Sequence, residues 1–538
     1  MPDMIRAADA LARRLFDAGC RVAFGMPGGE VLTMIDALET AGIRFVLAKH
    51  ENAAGFLAEG YHHRDHAPAI LIGTLGPGTL NGVNVVANAL QDQVPLIVLS
   101  GCVDDFEAQR YTHQVVDQRD VFRPIVKASF TLSAQAAHTI ADKAVAIAME
   151  GLHGPVHIDI PVDVADRPVP AAAPATRRPA AASAPAGQDL ATARQWLATA
   201  KRPVMIVGAD AMNQHAQDAI VAFAEAHNVP VITTYKAKGM IAEDHPLSLG
   251  GAGISALADT AYVPFVQSAD LIICAGYDPV EMRPGWRDIW QPDTHNVIEI
   301  ASAPNRHYMH QATMNFITDL AASLDAIGSG VPGQPTWENN EVRHLKADLA
   351  TAFPRNEDWG PAAVIDTCRA VLPRDTLASA DSGAHRILLC HIWESFAPRE
   401  LMQSSALCTM GCAVPMAIGA KLGAPERPVV SFSGDAGFLM AAGELATAAE
   451  LEVAPIFVVF VDASLALIEK KQRERQLPNR GVDFAHHDFA AMGRAFGGNG
   501  VTVHDRAALE SALGDAVHAD TFTVIAAVIE RGAYDGRI

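Results

Sequence analysis

Short apolar runs separated by helical patterns recur along the whole chain and constrain its fold more than any other feature. Examples are VPLIVLSG (94–101), RPVMIVGA (202–209) and APIFVVFVDAS (454–464). Consecutive apolar positions predict strands that are buried on both faces, which is typical of parallel sheets covered by helices. Because the alternation fills three stretches of the chain, it predicts an α/β protein with three doubly wound parallel-sheet domains.

Length and two weakly patterned segments set the predicted domain bounds. A chain of 538 residues is too long for a single core. Residues 167–188 are rich in Pro and Ala without apolar periodicity, which predicts an extended connection, and residues 328–340 form a second break. The predicted domains are residues 1–166, 189–328 and 355–538.

Charge and composition exclude several classes of function. The formal net charge is −20, and no Lys/Arg run is present that could bind a phosphate backbone, so nucleic acid is not an expected partner. No apolar stretch is long enough to span a membrane. No leader pattern precedes the first helical pattern, so the cytoplasm is the expected location. The seven cysteines are scattered and predict buried thiols rather than a zinc site.

Two predicted strands each end in an aspartate. One ends in SGDAG (433–437) and the other in DAS (462–464), with one helical pattern between them. A right-handed crossover places both carboxylates at the carboxyl edge of one sheet. Two oxygen ligands beside a Gly-rich turn that opens a helix predict a magnesium and phosphate site. Taken singly, each aspartate is equally well explained as a helix cap or a turn residue.

These motifs resemble those of a known family. GDA (434–436), ELATA (444–448) and the strand that opens at Pro455 and ends in DAS are similar to the diphosphate and metal motif of thiamine-diphosphate enzymes, and more narrowly of the acetolactate synthase group. The resemblance covers nearly the whole chain, with its motifs in the family's order. Further matching segments are FGMPGGEVLTMIDAL (24–38), KHENAAGFLAEGY (49–61), the segment 74–101, DSGAHRI (381–387) and CTMGCAVPMAIGAKLG (408–423).

The resemblance implies thiamine diphosphate and Mg²⁺ as cofactors and assigns roles to particular residues. The catalytic residues are Glu51, which matches the glutamate that hydrogen-bonds the aminopyrimidine, with Gln114 and Met410, the latter wedging the cofactor into a bent shape. The metal ligands are Asp435, Asp462 and the carbonyl of Ser464. Substrate-side groups are His113, Lys127 and Lys471. The cofactor-binding set is Pro27, Gly28, Thr74, Asn81, Gly383, Ala384, His385, Cys408, Met410, Gly434, Asp435, Ala436, Gly437, Asp462, Ser464, Leu465, Ala466 and Leu467.

The implied activity is decarboxylation of a 2-oxo acid with ligation of the resulting carbanion to a second carbonyl. The alternative is a non-ligating decarboxylase or carbon–carbon lyase of the same family. Because the pyrimidine and metal sites lie in different segments, the family completes each active site between two subunits, which implies a homodimer at minimum and commonly a homotetramer. The expected partner is a small 2-oxo acid or related carbonyl compound.

Three positions depart from the family's pattern. Ala436 replaces a glycine, which predicts a negative φ there. Asp462 replaces an asparagine and adds a negative charge that weakens cofactor binding unless Mg²⁺ or a base such as Lys470 offsets it. Leu467 and Lys471 replace a methionine and a tryptophan near the acceptor, which predicts a different acceptor, such as an anion.

FAD is not favoured as a further cofactor. Residues 233–253 and 275–285 align with flavin-holding segments, but Asp278 stands in place of an arginine and Arg283 is displaced. A protein using NAD or FAD for redox chemistry is a competing reading. Against it, GSGVPG (328–333) follows a helical pattern instead of a strand.

A catalytically silent homologue is a further competing reading, and retention of Glu51, Asp435 and Met410 argues against it. Histidines outside the matched motifs, in HHRDH (62–66) and at 486 and 487, are predicted to be surface side chains. For His385, contact with a diphosphate or a substrate is an open alternative.

Overall fold

The structure is a computed structural model that describes residues 3–104, 106–176 and 180–538. Its first sheet has six parallel strands in the order β3-β2-β4-β5-β7-β6. The strands of this segment are β1 (Met4–Arg6), β2 (Val22–Met26), β3 (Arg44–Leu47), β4 (Ala69–Gly73), β5 (Leu96–Cys102), β6 (Ala128–Thr131), β7 (Val156–Pro161) and β8 (Pro168–Pro170). Its helices are α1 (Ala7–Asp17), α2 (Leu32–Ala41), α3 (Glu51–Asp65), α4 (Pro77–Asn81), α5 (Val83–Gln91), α6 (Gln118–Phe122), α7 (Ala137–Met149) and α8 (Val162–Ala165).

The second sheet also has six parallel strands, in the order β11-β10-β9-β12-β13-β14. They are β9 (Pro203–Val207), β10 (Val231–Thr234), β11 (Ser248–Ala252), β12 (Leu271–Ala275), β13 (Asn296–Ala301) and β14 (Met314–Ile317). The accompanying helices are α9 (Gly187–Thr199), α10 (Ala209–Asn213), α11 (Gln217–His227), α12 (Ala256–Gln267), α13 (Leu320–Gly328) and, in the following connection, α14 (Glu341–Ala352).

The third sheet repeats the pattern in the order β16-β15-β17-β18-β20-β19, again all parallel. Its strands are β15 (Leu377–Ala380), β16 (Leu401–Gln403), β17 (Val429–Gly434), β18 (Ile456–Val461), β19 (Asn499–Val503) and β20 (Thr523–Val528). Its helices are α15 (Pro361–Val371), α16 (Ala384–Ile392), α17 (Ala413–Gly423), α18 (Asp435–Ala441), α19 (Glu444–Glu450), α20 (Ala466–Glu474), α21 (Phe489–Ala495) and α22 (Arg506–Val517).

The predicted α/β class with three parallel sheets is confirmed. All six residues of β18 and all five of β9 are buried, as expected for strands covered on both faces. The Pro-rich connection differs from the prediction at its start, because β8 pairs antiparallel with β1. The pairing partner lies at the other end of the segment, so local composition could not reveal it.

Helices α3 and α17 join the first and third segments at very close range. A Cβ on Gly60 would lie 2.1 Å from the Met416 carbonyl oxygen, and one on Gly419 would lie 2.0 Å from the Leu57 carbonyl oxygen. Only residues without a side chain allow two helix backbones to approach so closely. The helix that begins at Glu51 is therefore fixed against the third segment.

Buried polar groups also connect all three segments. Arg399 Nη1 lies 3.1 Å from His62 Nε2 and 3.0 Å from His63 Nδ1, and its Nη2 donates to Asn213 Oδ1 at 3.0 Å. The prediction of surface histidines is wrong for His62 and His63, which are buried. Burial and the Arg399 charge hold the pKa of both imidazoles well below the ordinary value. His486 and His487 are exposed as predicted.

Across the described residues, no helix combines the length and apolarity that crossing a membrane requires.

Candidate active site

A cleft opens at the carboxyl ends of β15, β17 and β18. Most of the residues predicted to bind a cofactor in the third segment meet here, although their motifs are far apart in sequence. Those that line the cleft are Gly383, Ala384, His385, Met410, Gly434, Asp435, Ala436, Gly437, Asp462, Ser464, Leu465, Ala466 and Leu467.

Asp435 is the first residue of α18, directly after β17, and its carboxylate organises the turn after β18. Oδ1 accepts from the amide of Ala436 at 2.9 Å, and Oδ2 accepts from the amides of Asp462 at 3.2 Å and Ala463 at 2.7 Å. Burial raises the pKa of Asp435 above its usual range, and these three amides lower it in part. The two aspartates therefore lie side by side, as the spacing predicts.

Of the two neighbouring aspartates, Asp462 has the more strongly raised pKa. Burial, followed by the charge of Asp435, raises its pKa to about 7. The base expected to offset it, Lys470, is instead paired with Glu474 on the same helix. The positive charge that acts on Asp462 comes from Arg531, which is paired with Asp483. This arrangement fits a site for a divalent cation, which would neutralise both carboxylates.

The backbone around the two aspartates fits the sequence. Ala436 lies inside α18, so the prediction of a negative φ is confirmed. The unusual backbone conformation is instead at Ala463, with φ +53°, between Asp462 and Ser464. This turn lets the Ser464 amide donate to Asp462 Oδ1 at 3.2 Å.

Unsatisfied polar groups in the cleft fit an anionic ligand. His385 Nε2 and Ser464 Oγ are buried and have no hydrogen-bond partner among the described residues. Burial, assisted by Arg386, lowers the pKa of His385 to about 3, so the ring is neutral near pH 7, and its one proton is donated to the Asp381 carbonyl. The amino ends of α16 and α18 also face the cleft. The Ser464 hydroxyl and these backbone amides can donate hydrogen bonds to a diphosphate held by a metal.

A second polar cluster surrounds Glu51 at the carboxyl edge of the first sheet. Glu51 is 5% exposed, and its Oε2 accepts from Asn81 Nδ2 at 2.9 Å. A Cβ on Gly78 would lie 3.0 Å from Oε1 and 2.9 Å from Thr74 Cγ2. Thr74 Oγ1 in turn donates to Glu30 Oε2 at 2.5 Å. The predicted residues Glu51, Thr74 and Asn81 are thus brought together.

Three further predicted residues adjoin this cluster. A Cβ on Gly28 would lie 2.3 Å from Thr74 Oγ1, and Pro27 precedes it directly after β2. Gln114 has φ +61°, and its carbonyl oxygen lies only 2.4 Å from where a Cβ on Gly76 would be.

Glu444, the first residue of the ELATA motif, binds the chain that precedes Glu51. Its Oε1 accepts from the backbone amide of Lys49 at 2.9 Å, and Lys49 Nζ donates to Glu450 at 2.6 Å. The chain immediately before Glu51 is therefore held by α19 of the third segment. Among the described residues, however, none from the Glu51 cluster lines the cleft.

Several predicted residues lie elsewhere. Lys127 precedes β6, at the amino ends of the strands, and donates to the carbonyls of Glu150 at 2.6 Å and Leu152 at 2.7 Å. His113 is exposed beside Tyr111. Lys471 is exposed on α20. Cys408 lies near the cleft but does not line it, and its sulfur accepts from Arg386 Nη2 at 3.1 Å.

The cleft also contains residues that the sequence interpretation missed, namely Ser382, Phe460, Ile468 and Tyr534. The first three adjoin predicted residues and follow from the same motifs. Tyr534 comes from the end of the chain, packs into the core and faces both aspartates, whose charges act with burial to raise its pKa. No local sequence motif predicts that Tyr534 lies in the cleft.

Known protein families match the chain in three separate parts. Family models described as the N-terminal binding domain, the central domain and the C-terminal binding domain of thiamine pyrophosphate enzymes match residues 5–121, 190–327 and 381–527. The chain belongs to this family. It is a thiamine-diphosphate-dependent carboligase or decarboxylase of the acetolactate synthase-like group.

Curated relatives extend over most of this thiamine-diphosphate enzyme. The large subunit of acetolactate synthase isozyme 1 from Escherichia coli is 31% identical over 86% of this chain and 83% of its own length. A catabolic acetolactate synthase from Raoultella terrigena is 28% identical over 97% and 95%. A probable 2-ketoarginine decarboxylase from Pseudomonas aeruginosa is 30% identical over 92% and 88%.

Proposed function

We propose that this enzyme decarboxylates a 2-oxo acid and ligates the resulting carbon nucleophile to a second carbonyl, using thiamine diphosphate and Mg²⁺. The observation that carries the proposal is the convergence of Asp435, Asp462 and the unsatisfied His385 Nε2 on one cleft. Thiamine diphosphate supplies the carbanion at C2 that attacks the carbonyl and the electron sink that permits loss of carbon dioxide.

Asp435, Asp462 and the Ser464 carbonyl would hold Mg²⁺, because all three offer oxygen atoms at the carboxyl edge of the third sheet. No group of three or more His, Cys, Asp or Glu side chains suited to a metal occurs in the described part of the chain. A site of two carboxylates and a carbonyl, completed by diphosphate oxygens, agrees with that finding. Ser464 Oγ would donate a hydrogen bond to the diphosphate.

Glu51 would hold and move the proton at N1′ of the aminopyrimidine. Its side chain is almost fully buried, and Asn81 Nδ2 donates a hydrogen bond to one of its two carboxylate oxygens. A fixed, water-poor carboxylate is suited to proton exchange with a bound base. Met410, which lines the cleft, would support the bent shape of the cofactor.

We also propose that two chains form each active site. The cleft of the third segment and the Glu51 cluster of the first are separate surfaces of one chain, and the described lining of the cleft contains no residue from the first segment. A second copy that presents its Glu51 cluster to the cleft would complete the site. Light scattering should therefore report a dimer or a larger assembly.

A non-ligating decarboxylase is the second candidate. It is favoured by the similarity to a probable 2-ketoarginine decarboxylase and by Leu467 in the cleft wall, where a ligase of the acetolactate group has a methionine. Without a bound acceptor, the product would be an aldehyde.

Proton NMR of the protein with thiamine diphosphate, Mg²⁺ and a panel of 2-oxo acids that begins with pyruvate tests both candidates. A 2-hydroxy ketone or acetohydroxy acid supports the ligase, and an aldehyde supports the decarboxylase. The Glu51→Gln variant keeps an acceptor for Asn81 but cannot exchange the proton, so its turnover should fall by at least about a hundredfold. Turnover by this variant at the wild-type rate would contradict the proposal, as would no turnover of any panel member by the wild type.

A further inference from the structure

We propose that Gln118 is a positioning residue of the active site, because it tethers the turn that sets the geometry of both Glu51 and Gln114. This inference rests on the proposed role of Glu51. The sequence interpretation assigns no role to Gln118.

Gln118 is 3% exposed and satisfies both ends of its amide. Its Oε1 accepts from the backbone amide of Gly76 at 2.9 Å, and its Nε2 donates to the Gly101 carbonyl at 3.0 Å and to Asp159 Oδ1 at 2.7 Å. A buried amide with three partners has one orientation. It therefore holds the Gly76 amide at a defined position relative to strands β5 and β7, which carry Gly101 and Asp159.

Asp159 is itself fixed in place. Ser100 Oγ donates to its Oδ1 at 2.6 Å and also lies 2.6 Å from His157 Nε2, while His157 Nδ1 lies 2.9 Å from Ser129 Oγ. These groups come from three adjacent strands, so the anchor is part of the rigid sheet. An anchor of this kind defines an atomic position better than a loop contact does.

From Gly76 the tether reaches Glu51 through one turn of helix. Gly76, at φ +67°, caps α4, whose last residue Asn81 donates to Glu51 Oε2. Within α4, Gly78 leaves room for Glu51 Oε1. Loss of the Gln118 bond would free the first turn of α4 and, with it, the donor that orients the Glu51 carboxylate.

Gly76 also touches the other predicted catalytic residue of this segment. Its position leaves no space for a side chain beside the Gln114 carbonyl. Gln114 lies four residues before Gln118 on the same stretch of chain. The Gln118 hydrogen bond to Gly76 therefore holds both Gly76 and the segment that carries Gln114. A displacement of roughly 1 Å at such a site can cost up to about a hundredfold in rate.

Gln118→Leu removes the tether at nearly constant volume, and Gln109→Leu is the matched control at an exposed glutamine of the same segment. In the cofactor-free full-length protein, hydrogen exchange of the peptide spanning residues 74–82 should become at least about tenfold faster in Gln118→Leu only. In the loaded enzyme, kcat should fall roughly 10–100-fold with little change in KM.

Gln118→Glu gives a readout that a merely structural role would not move. The introduced carboxyl group can accept from Gly76 and donate to Asp159 while it is protonated, whereas its ionised form is repelled by the Asp159 carboxylate, so the two acids share one proton. The other titratable or charged groups nearby are His157, Asp117, Arg119 and Asp120, with Glu30 packed on Gly101. Activity relative to wild type should be retained in acid and lost on the alkaline side, while Gln118→Leu should be impaired at every pH.

Unchanged exchange in Gln118→Leu would overturn the inference. So would faster exchange with wild-type kcat, or a Gln118→Glu variant whose pH profile matches the wild type. If the wild type turns over no 2-oxo acid, the proposed function fails, and the exchange measurement on cofactor-free protein still decides whether Gln118 holds the turn.

Discussion

The carboxylate of Asp435 accepts a hydrogen bond from the backbone amide of Ala463 at 2.7 Å, so the end of β17 holds the turn that follows β18. The two aspartates at the strand ends are therefore not equivalent. Asp435 has three amide donors, whereas Asp462 accepts only from Ser464 among the described groups. The first aspartate builds the turn, and the second contributes charge to the cleft.

Asp462→Asn should stabilise the metal-free protein at alkaline pH. Burial and the charge of Asp435 raise the folded-state pKa of Asp462 to about 7, well above the ordinary value of an aspartate. The folded protein therefore binds a proton that the unfolded chain releases, and the free energy of unfolding falls as pH rises from about 4 to about 7. Asparagine removes this penalty, so the variant should gain Tm relative to wild type above neutrality and not in acid.

Thermal unfolding in metal-free buffers across that range measures the effect, with Asp520→Asn at an exposed aspartate as the control. Mg²⁺ binding should survive in Asp462→Asn, because the amide oxygen can still coordinate a cation. A variant less stable than wild type at alkaline pH would show that the ionised Asp462 is favourably accommodated.

Gly60→Ala should destabilise the protein strongly. Its Cβ would meet the Met416 carbonyl oxygen at 2.1 Å, so α3 and α17 would have to move apart. Overpacking of this kind costs about 1–3 kcal/mol or more in the free energy of unfolding. Gly514→Ala is the matched control, because Gly514 lies in α22 with open space around its Cβ position and should gain up to about 1 kcal/mol. Urea unfolding of both variants compares the two, and equal midpoints would contradict the helix contact.

Lys236→Met should weaken the junction of the three segments. Burial opposes the charge on Lys236, but Asp92 and Glu59, at 2.8 and 2.9 Å from Nζ, outweigh it and raise the pKa. Removing the lysine leaves two carboxylates buried without their cation, which costs about 3–5 kcal/mol. Addition of Glu59→Gln and Asp92→Asn should recover part of the stability in urea unfolding at neutral pH.

Gly78→Ala should damage catalysis more than stability. The new methyl group would lie 3.0 Å from Glu51 Oε1 and 2.9 Å from Thr74 Cγ2, so the Glu51 carboxylate and the Thr74 side chain beside it would have to shift. We expect kcat to fall roughly 10–100-fold with little change in Tm. Gly29→Ala is the control, since nothing lies within 4 Å of its Cβ position. Comparable kcat for the two variants would exclude a packed contact between Gly78 and Glu51.

The three parallel sheets and most of the cleft could be predicted from local patterns in the amino-acid sequence. Apolar runs at consecutive positions, as in β18, require cover on both faces, and this is a local property of the chain. The residues around Asp435 and Asp462 follow strands directly, and parallel strands bring their carboxyl ends to one edge. Local pattern and topology were sufficient here.

The long-range partner of each polar group could not be predicted in this way and follows from the folded chain. His62 and His63 carry no local mark of burial, since Arg399 from the third segment covers them. Arg531 acts on Asp462 where Lys470 was expected, and Tyr534 enters the cleft from the chain's end. The Gln118 amide is oriented by Asp159, which lies 41 residues away in the sequence. Such pairings depend on side-chain distances after the sheets have packed, which no periodicity of the sequence encodes.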